Sequence, residues 1–321
     1  MKRHVLSALA GTVAIVAFGV AGCGPETSPS GLTHAQAVAM AQAFYQKEAT
    51  ALHTWDVTQE DKLEAPPESI IDAAGIKMNK LTNQRPPALP GKKDKGPSVK
   101  AYVAKNADVF AVYEGGSDPL YMLFKKQGST WKLVHSPNIL PDVSTLPKIE
   151  VDKSGYATVL TAANQTSELK VTADAMAQRY VKDLNAAASK SFKGDSTFAS
   201  GVATNSIWSQ IPKLSTSTLK VSLKASPSSY QSTTFALSGG GGLAFVTVRY
   251  DLVGRETKPG VLVQDQKRSK LASLIPPGKY QRVTTEYLVL LAAKIPAQGA
   301  KGAVQVVGFY NGVIGFSTTA E

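Results

Sequence analysis

The chain of 321 residues contains a single cysteine, Cys23. One cysteine cannot form an intramolecular disulfide, so the hydrophobic core and hydrogen bonds must hold the fold together, which is feasible for domains above about 80 residues. Charged residues are also sparse at 18%, whereas 43% hydrophobic residues suffice for packed cores. The composition therefore predicts a globular protein without a disulfide framework.

Histidine is scarce as well, with four residues in the chain, and none is spaced for a metal site. His4 lies in the N-terminal segment. His34, His53 and His135 are isolated, without the His-x-His or His-Glu-x-x-His spacing that brings two nitrogens to one ion. We assign structural roles to these three histidines and predict neither a metal nor a cofactor.

Motifs of nucleophilic catalysis are absent or misplaced. Gly-x-Ser-x-Gly does not occur. Ser129-x-x-Lys132 has the spacing of the first penicillin-binding protein motif, but that motif begins a helix, whereas Ser129 is predicted in a hairpin turn. We therefore expect no catalytic residues and no enzyme activity.

One acidic stretch, Asp56, Glu60, Asp61 and Glu64, brings several carboxylates together. If the stretch is helical, residues four apart share a face and could serve acid–base chemistry or hold a cation. Nothing apolar in the surrounding sequence would perturb these acids. We interpret the stretch as a solvated face.

What the chain does contain is an export signal. Lys2 and Arg3 precede an uncharged, mostly apolar run that ends in Val20-Ala21-Gly22-Cys23. A membrane-spanning helix needs about 20 apolar residues, and this run is shorter. The layout resembles the signal peptide and lipobox of bacterial lipoproteins. That resemblance implies cleavage before Cys23, acylation of its thiol with palmitate or a similar chain, and an extracytoplasmic protein anchored at the outer face of the cell membrane.

The charge of the chain is strongly basic, at +11. Nucleic acid is not an expected partner, because no recognition motif occurs and the protein is predicted to be secreted. Contact with an anionic bilayer or an acidic wall polymer accounts for the charge, and so does solubility alone. Two basic loops, Lys92-Lys93-Asp94-Lys95 and Lys267-Arg268-Ser269-Lys270, are candidates for contact with lipid headgroups.

Two segments of the chain look alike. A helix is predicted from Thr33, where Thr33-His34-Ala35-Gln36 has the form of a capping box, and a second from about Thr172. Ala39-Met40-Ala41-Gln42 recurs as Ala175-Met176-Ala177-Gln178, and the predicted strand at 108–114 maps onto 244–250 at the same offset. These matches predict an internal duplication.

The hairpin predicted at 120–136 ends in Gly-Ser-Thr-Trp131-Lys132-Leu133-Val134. A long helix followed by such a hairpin resembles cone-shaped folds of the nuclear-transport-factor-2-like or cystatin-like type. The segment 146–157 is similar to uncharacterised actinobacterial secreted lipoproteins. The resemblance implies an α+β fold of two related domains, each a long N-terminal helix packed on a curved antiparallel sheet. It implies no activity and no functional residues.

The expected organisation follows from these observations. It consists of a signal peptide (1–22), a lipidated Cys23 with a tether (23–31), a first domain (32–140), a connecting segment (141–169) and a second domain (170–321) with an insertion near 254–282. The expected function is that of a non-catalytic binding or scaffold protein, whose partner is a small hydrophobic ligand or an envelope protein. The alternative is an envelope-acting hydrolase or isomerase whose site is assembled from distant residues.

Overall fold

The computed structural model describes residues 31–89, 97–187, 194–206, 208–215, 217, 219–257 and 280–320. The helices are α1 (His34–Thr54), α2 (Val57–Leu63), α3 (Glu68–Leu81), α4 (Ala162–Glu168) and α5 (Ala173–Ala186). The strands are β1 (Val99–Val103), β2 (Val109–Glu114), β3 (Leu120–Gln127), β4 (Thr130–His135), β5 (Asn138–Ile139), β6 (Leu219–Pro227), β7 (Thr233–Ala236), β8 (Gly242–Glu256), β9 (Tyr280–Ile295) and β10 (Gln305–Ala320).

These strands form one ten-stranded antiparallel sheet. Its order is β1-β2-β3-β5-β10-β9-β8-β6, with β4 paired to β3 and β7 paired to β8. The short strand β5 joins the two halves, since Asn138 pairs with Leu120 of β3 and Ile139 pairs with Gly308 of β10. Strands from the first and second halves of the chain therefore belong to a single sheet.

The predicted α+β fold of two helix-on-sheet cones is wrong. The alternation of apolar residues correctly indicated that strands occur, but alternation does not specify which strands are neighbours. Two observations overturn the prediction: the shared sheet, and a buried core in which Tyr121 of the first half packs against Phe245 of the second half, with Phe235 beside it.

Several local predictions are confirmed. Thr33 and Gln36 form the capping box of α1, in which the Thr33 N–H donates to Gln36 Oε1 at 2.8 Å. Thr172 caps α5 by accepting the N–H of Ala175. The predicted hairpin is β3–β4, and Gly128 in its turn has φ +59°, a value that glycine adopts readily.

The helices lie on different parts of the sheet. α1 packs on β1, α3 on β10, and α5 on β6 and β8. Beneath α5, Met176, Tyr180 and Leu184 are buried in a core that also contains Val248 and Val289 of the long strands. Helices α1, α2 and α3 contact one another in chain order and form a second helical group.

Among the helices in the described ranges, none combines the length and apolarity that crossing a membrane requires. The predicted signal peptide, Cys23 and most of the tether lie outside the described residues.

Candidate functional site

Four carboxylates meet among α1, α2 and α3. One carboxylate oxygen from each of Glu48, Glu60, Glu64 and Asp72 lies within 4.8 Å of the others. Glu60, Glu64 and Asp72 are buried, with 0%, 1% and 6% of their surface exposed. The interpretation of Glu60 and Glu64 as part of a solvated face is therefore wrong. We call these four residues the carboxylate cluster.

The local sequence explains how the cluster forms. The chain leaves α1 at Trp55, which has φ 52°, and Asp56 then caps α2 by accepting two backbone N–H groups at 3.0 and 3.2 Å. This turn folds α2 back against α1. Glu60 and Glu64 are one helical turn apart, so both face inward, and Asp72 reaches them from α3.

The spacing of the carboxylate cluster limits its charge. Four carboxylates this close, three of them removed from water, cannot all be ionised unless a basic side chain or a metal cation supplies positive charge; otherwise one or more of them binds a proton. Ca²⁺ is bound in proteins by oxygen ligands, among them carboxylates. The sequence-based expectation that the chain holds no metal stays a prediction.

A further buried carboxylate lies on β2, where Glu114 accepts a hydrogen bond from the hydroxyl of Tyr45 in α1. Burial raises the pKa of Glu114, although the hydrogen bond from Tyr45 opposes this shift. Burial also raises the pKa of Tyr45, and the neighbouring carboxylates of Glu114 and Glu48 add to the effect. The phenol therefore remains protonated and holds α1 against β2.

His135, predicted in a strand, lies at the end of β4 in the interior. Its Nε2 is 3.0 Å from the hydroxyl oxygen of Thr247, and its ring lies edge-on to Phe245. Burial, together with the charge of Lys125, lowers the pKa of His135 to about 3. The imidazole is therefore neutral, and it contributes to packing rather than to an open catalytic site.

The other two described histidines bind backbone carbonyls. His34 Nε2 is 2.8 Å from the oxygen of Gly155, and His53 Nδ1 is 2.8 Å from the oxygen of Pro87. Each such contact fixes a loop against α1. His34, His53 and His135 thus have separate neighbours, and the structure does not bring them together.

Ser129 and Lys132 do not form a catalytic pair either. Ser129 lies in the β3–β4 turn, while the ammonium of Lys132 donates to the carbonyl of Asp61 at 2.7 Å. The basic loops 92–95 and 267–270 lie outside the described residues.

The structure also has two surface clefts. The first has a volume of about 230 Å³ and contains Lys105 and Asp152, which form an ion pair at 3.3 Å. The second has a volume of about 370 Å³ and contains Asp183 and Asp195. Both are lined mainly by polar side chains, unlike the enclosed apolar pocket expected of a carrier for a hydrophobic ligand.

The aspartates of the second cleft have opposite environments. Burial raises the pKa of Asp183, whose Oδ2 accepts the N–H of Asp195 at 3.2 Å. Hydrogen bonds from the side chain and backbone of Thr197 lower the pKa of Asp195. Sequence reasoning missed this pair. The available signal was Gly194-Asp195-x-Thr197, because Asp and Thr two residues apart favour a local side-chain-to-backbone turn.

The fold and these sites define a protein built on one antiparallel sheet, with helices packed on its faces and a buried group of carboxylates. Residues 30–317 match a family described as a domain of unknown function, DUF8094. Since the match spans most of the sequence, the chain belongs to this family. No curated protein and no solved structure matches the chain.

Proposed function

We propose that the protein is an extracytoplasmic lipoprotein, anchored to the outer face of the cell membrane through Cys23, and that it acts as a non-catalytic binding or scaffold protein. The lipobox ending at Cys23 supports the anchor. Its partner is an envelope protein or a small hydrophobic ligand, and the polar lining of the two clefts favours the envelope protein.

The observation that carries the non-catalytic assignment is the location of the most strongly shifted ionisable groups. His135 is held by Thr247 inside the core, and Tyr180, whose pKa is raised by burial, donates to the carbonyl of Ala203 at 2.7 Å. Tyr45 is likewise held by Glu114. In an enzyme, such groups converge in a cleft open to substrate. Here each of the three side chains is held by a hydrogen-bond partner inside the protein, and its burial accounts for the shift of its pKa.

Native mass spectrometry of the chain from Gly24 onward tests the binding role, since this chain contains every described residue and the whole matched region. A co-purifying mass of a few hundred daltons supports a small-molecule ligand. An unliganded mass, with a single envelope protein captured by cross-linking on intact cells, supports a scaffold. Turnover of an envelope substrate would contradict the proposal.

A second candidate function rests on Asp183 and Asp195. Two carboxylates in one cleft, with pKa values shifted in opposite directions, are the arrangement that acid–base hydrolysis uses. An envelope-acting hydrolase would therefore show activity on a panel of chromogenic glycosides and esters. That activity would fall sharply in both Asp183→Asn and Asp195→Asn, and Asp174→Asn on the same half of the molecule serves as a control.

A further inference from the structure

One end of the sheet carries three basic residues in a row. Lys220 of β6 is the cross-strand partner of Arg255 of β8, and Arg255 is the partner of Arg282 of β9. Directly paired residues of an antiparallel sheet project from the same face, with Cβ atoms about 4.5–5.5 Å apart. These three residues, the cationic row, therefore place three positive charges side by side on one face.

The two described acids on this face of β8 and β9 do not neutralise the cationic row. On the same face, Asp251 and Glu286 are both bound by Arg249, at 3.5 and 2.6 Å. They lie four residues along the strands from Arg255 and Arg282, a distance of about 13 Å. That exceeds the screening length of about 8 Å at physiological ionic strength.

Within the described residues, no carboxylate forms an ion pair with Lys220, Arg255 or Arg282. Lys220 and Arg255 are exposed. The Nε of Arg282 is buried and has no hydrogen-bond partner among the described residues. Like charges in direct cross-strand pairs destabilise a sheet. An external anion facing the row would offset this repulsion.

We propose that the cationic row binds the anionic headgroups of a phospholipid bilayer. The inference rests on the proposed anchor at Cys23, because the tether from Gly24 to Gly31 spans at most about 27 Å and keeps the protein beside a bilayer. A bilayer is then close to the protein, and basic residues that face an anionic surface are attracted to it.

The test is co-sedimentation of the unacylated chain from Gly24 onward with two kinds of vesicle. One is phosphatidylcholine alone, and the other also contains about one third phosphatidylglycerol. We expect binding only to the anionic vesicles, at low salt. The triple variant K220Q/R255Q/R282Q should weaken the partition coefficient on the order of 100-fold, from the usual contribution of each basic residue. The variant K220R/R255K/R282K keeps the charges and should bind like the parent.

The matched control is K77Q/K80Q/K182Q, which removes the same charge from three exposed lysines on α3 and α5. We expect it to retain most of the binding. Equal losses in the two neutralised triples, or no preference of the parent for anionic vesicles, would overturn the proposal. Since these proteins carry no acyl chain, a failure here leaves anchoring through Cys23 to be decided by its own measurement.

Circular dichroism verifies the fold of each variant. If K220Q/R255Q/R282Q does not fold, the single variants K220Q and R255Q, both at exposed positions, replace it. Each should then weaken binding about 5-fold. Unchanged binding of both single variants would overturn the proposal equally.

Discussion

The side-chain amide of Asn185, near the end of α5, binds both backbone groups of Ala225 in β6. Its Oδ1 accepts the Ala225 N–H at 2.7 Å, and its Nδ2 donates to the Ala225 carbonyl at 3.0 Å. Ser215 contacts Val221 in the same way, accepting its N–H at 3.0 Å and donating to its carbonyl at 3.3 Å. In the described sheet β6 is the last strand, so these side chains occupy positions that a further strand would use.

Replacing Asn185 by Ala should therefore expose the outer edge of β6. We expect a loss of about 1 kcal/mol in the free energy of unfolding, because two hydrogen bonds to a partly buried backbone are removed. Amide hydrogen exchange at Ala225 should accelerate. Ser222→Ala, at an exposed position of the same strand, is the control and should change neither quantity. Unaltered exchange at Ala225 in Asn185→Ala would contradict this role.

The contact between Gly312 of β10 and Ile71 of α3 depends on the absence of a side chain. A Cβ at Gly312 would overlap the Ile71 side chain, which is 2% exposed. Gly312→Ala should lower the free energy of unfolding by about 1–3 kcal/mol, as overpacking of a core does. The effects of Gly312→Ala and Ile71→Ala should not add, because Ile71→Ala removes the Cγ2 atom that the new Cβ would meet. Denaturant unfolding measures both.

Gly75 provides the matched control on α3, since a Cβ there meets nothing within 4 Å. Gly75→Ala should stabilise the protein by about 0.5–1 kcal/mol, because alanine favours the helix. If Gly312→Ala were as stable as Gly75→Ala, the close packing of α3 on β10 would be wrong.

The buried imidazole of His135 makes stability depend on pH. In the folded protein its pKa is about 3, whereas an unfolded histidine titrates near its ordinary value of about 6.5. Between these values the unfolded state binds more protons, so stability falls as the pH falls. From pH 7 to pH 4.5 the loss due to this group is about 2.5 kcal/mol.

His135→Gln removes this titration and should lose less stability over the same pH interval than the parent does. His53→Gln, which changes an exposed histidine, is the control and should follow the parent. Urea unfolding at pH 7 and pH 4.5 gives the comparison. A pH dependence of His135→Gln equal to that of the parent would show that the imidazole is not held neutral.

The carboxylate cluster should behave as a coupled unit. Glu60 and Glu64 lie within 4.8 Å of each other through their nearest oxygens, so the effects of Glu60→Gln and Glu64→Gln on stability should not add. A double-mutant cycle should give a coupling of at least about 0.5 kcal/mol. Additive effects would contradict the shared charge environment.

Repeating the cycle with millimolar Ca²⁺ identifies the source of positive charge in the carboxylate cluster. A rise in the unfolding temperature of the parent that is lost in Glu60→Gln would identify a metal cation. An unchanged unfolding temperature would leave protons or a basic side chain as the source.

Local signals in the sequence specified the local structure. The capping box at Thr33 could be predicted because it depends on residues three apart, and the start of the second helix could be predicted near Thr172. The β3–β4 hairpin could be predicted from the turn at Gly128. The pairing of the strands could not be predicted in this way. The two-residue strand β5, which joins both halves of the sheet, has no periodicity that a sequence pattern could detect.

The candidate sites were harder to predict for a related reason. Glu60 and Glu64 were assigned to solvent because the sequence around them is polar, yet the left-handed turn at Trp55 folds their helix face inward. Lys220, Arg255 and Arg282 are far apart in the chain. Only the register of β6, β8 and β9 aligns them.

The central claim is that the protein is held at the membrane through Cys23, and membrane fractionation of Cys23→Ser tests it most directly. The parent and the variant are exported from the same host, and the membranes are washed at high salt to remove electrostatic binding. We predict that the parent stays with the membrane and carries an acyl chain on Cys23, while the variant moves to the soluble fraction. A variant that remains in the washed membrane would contradict the claim.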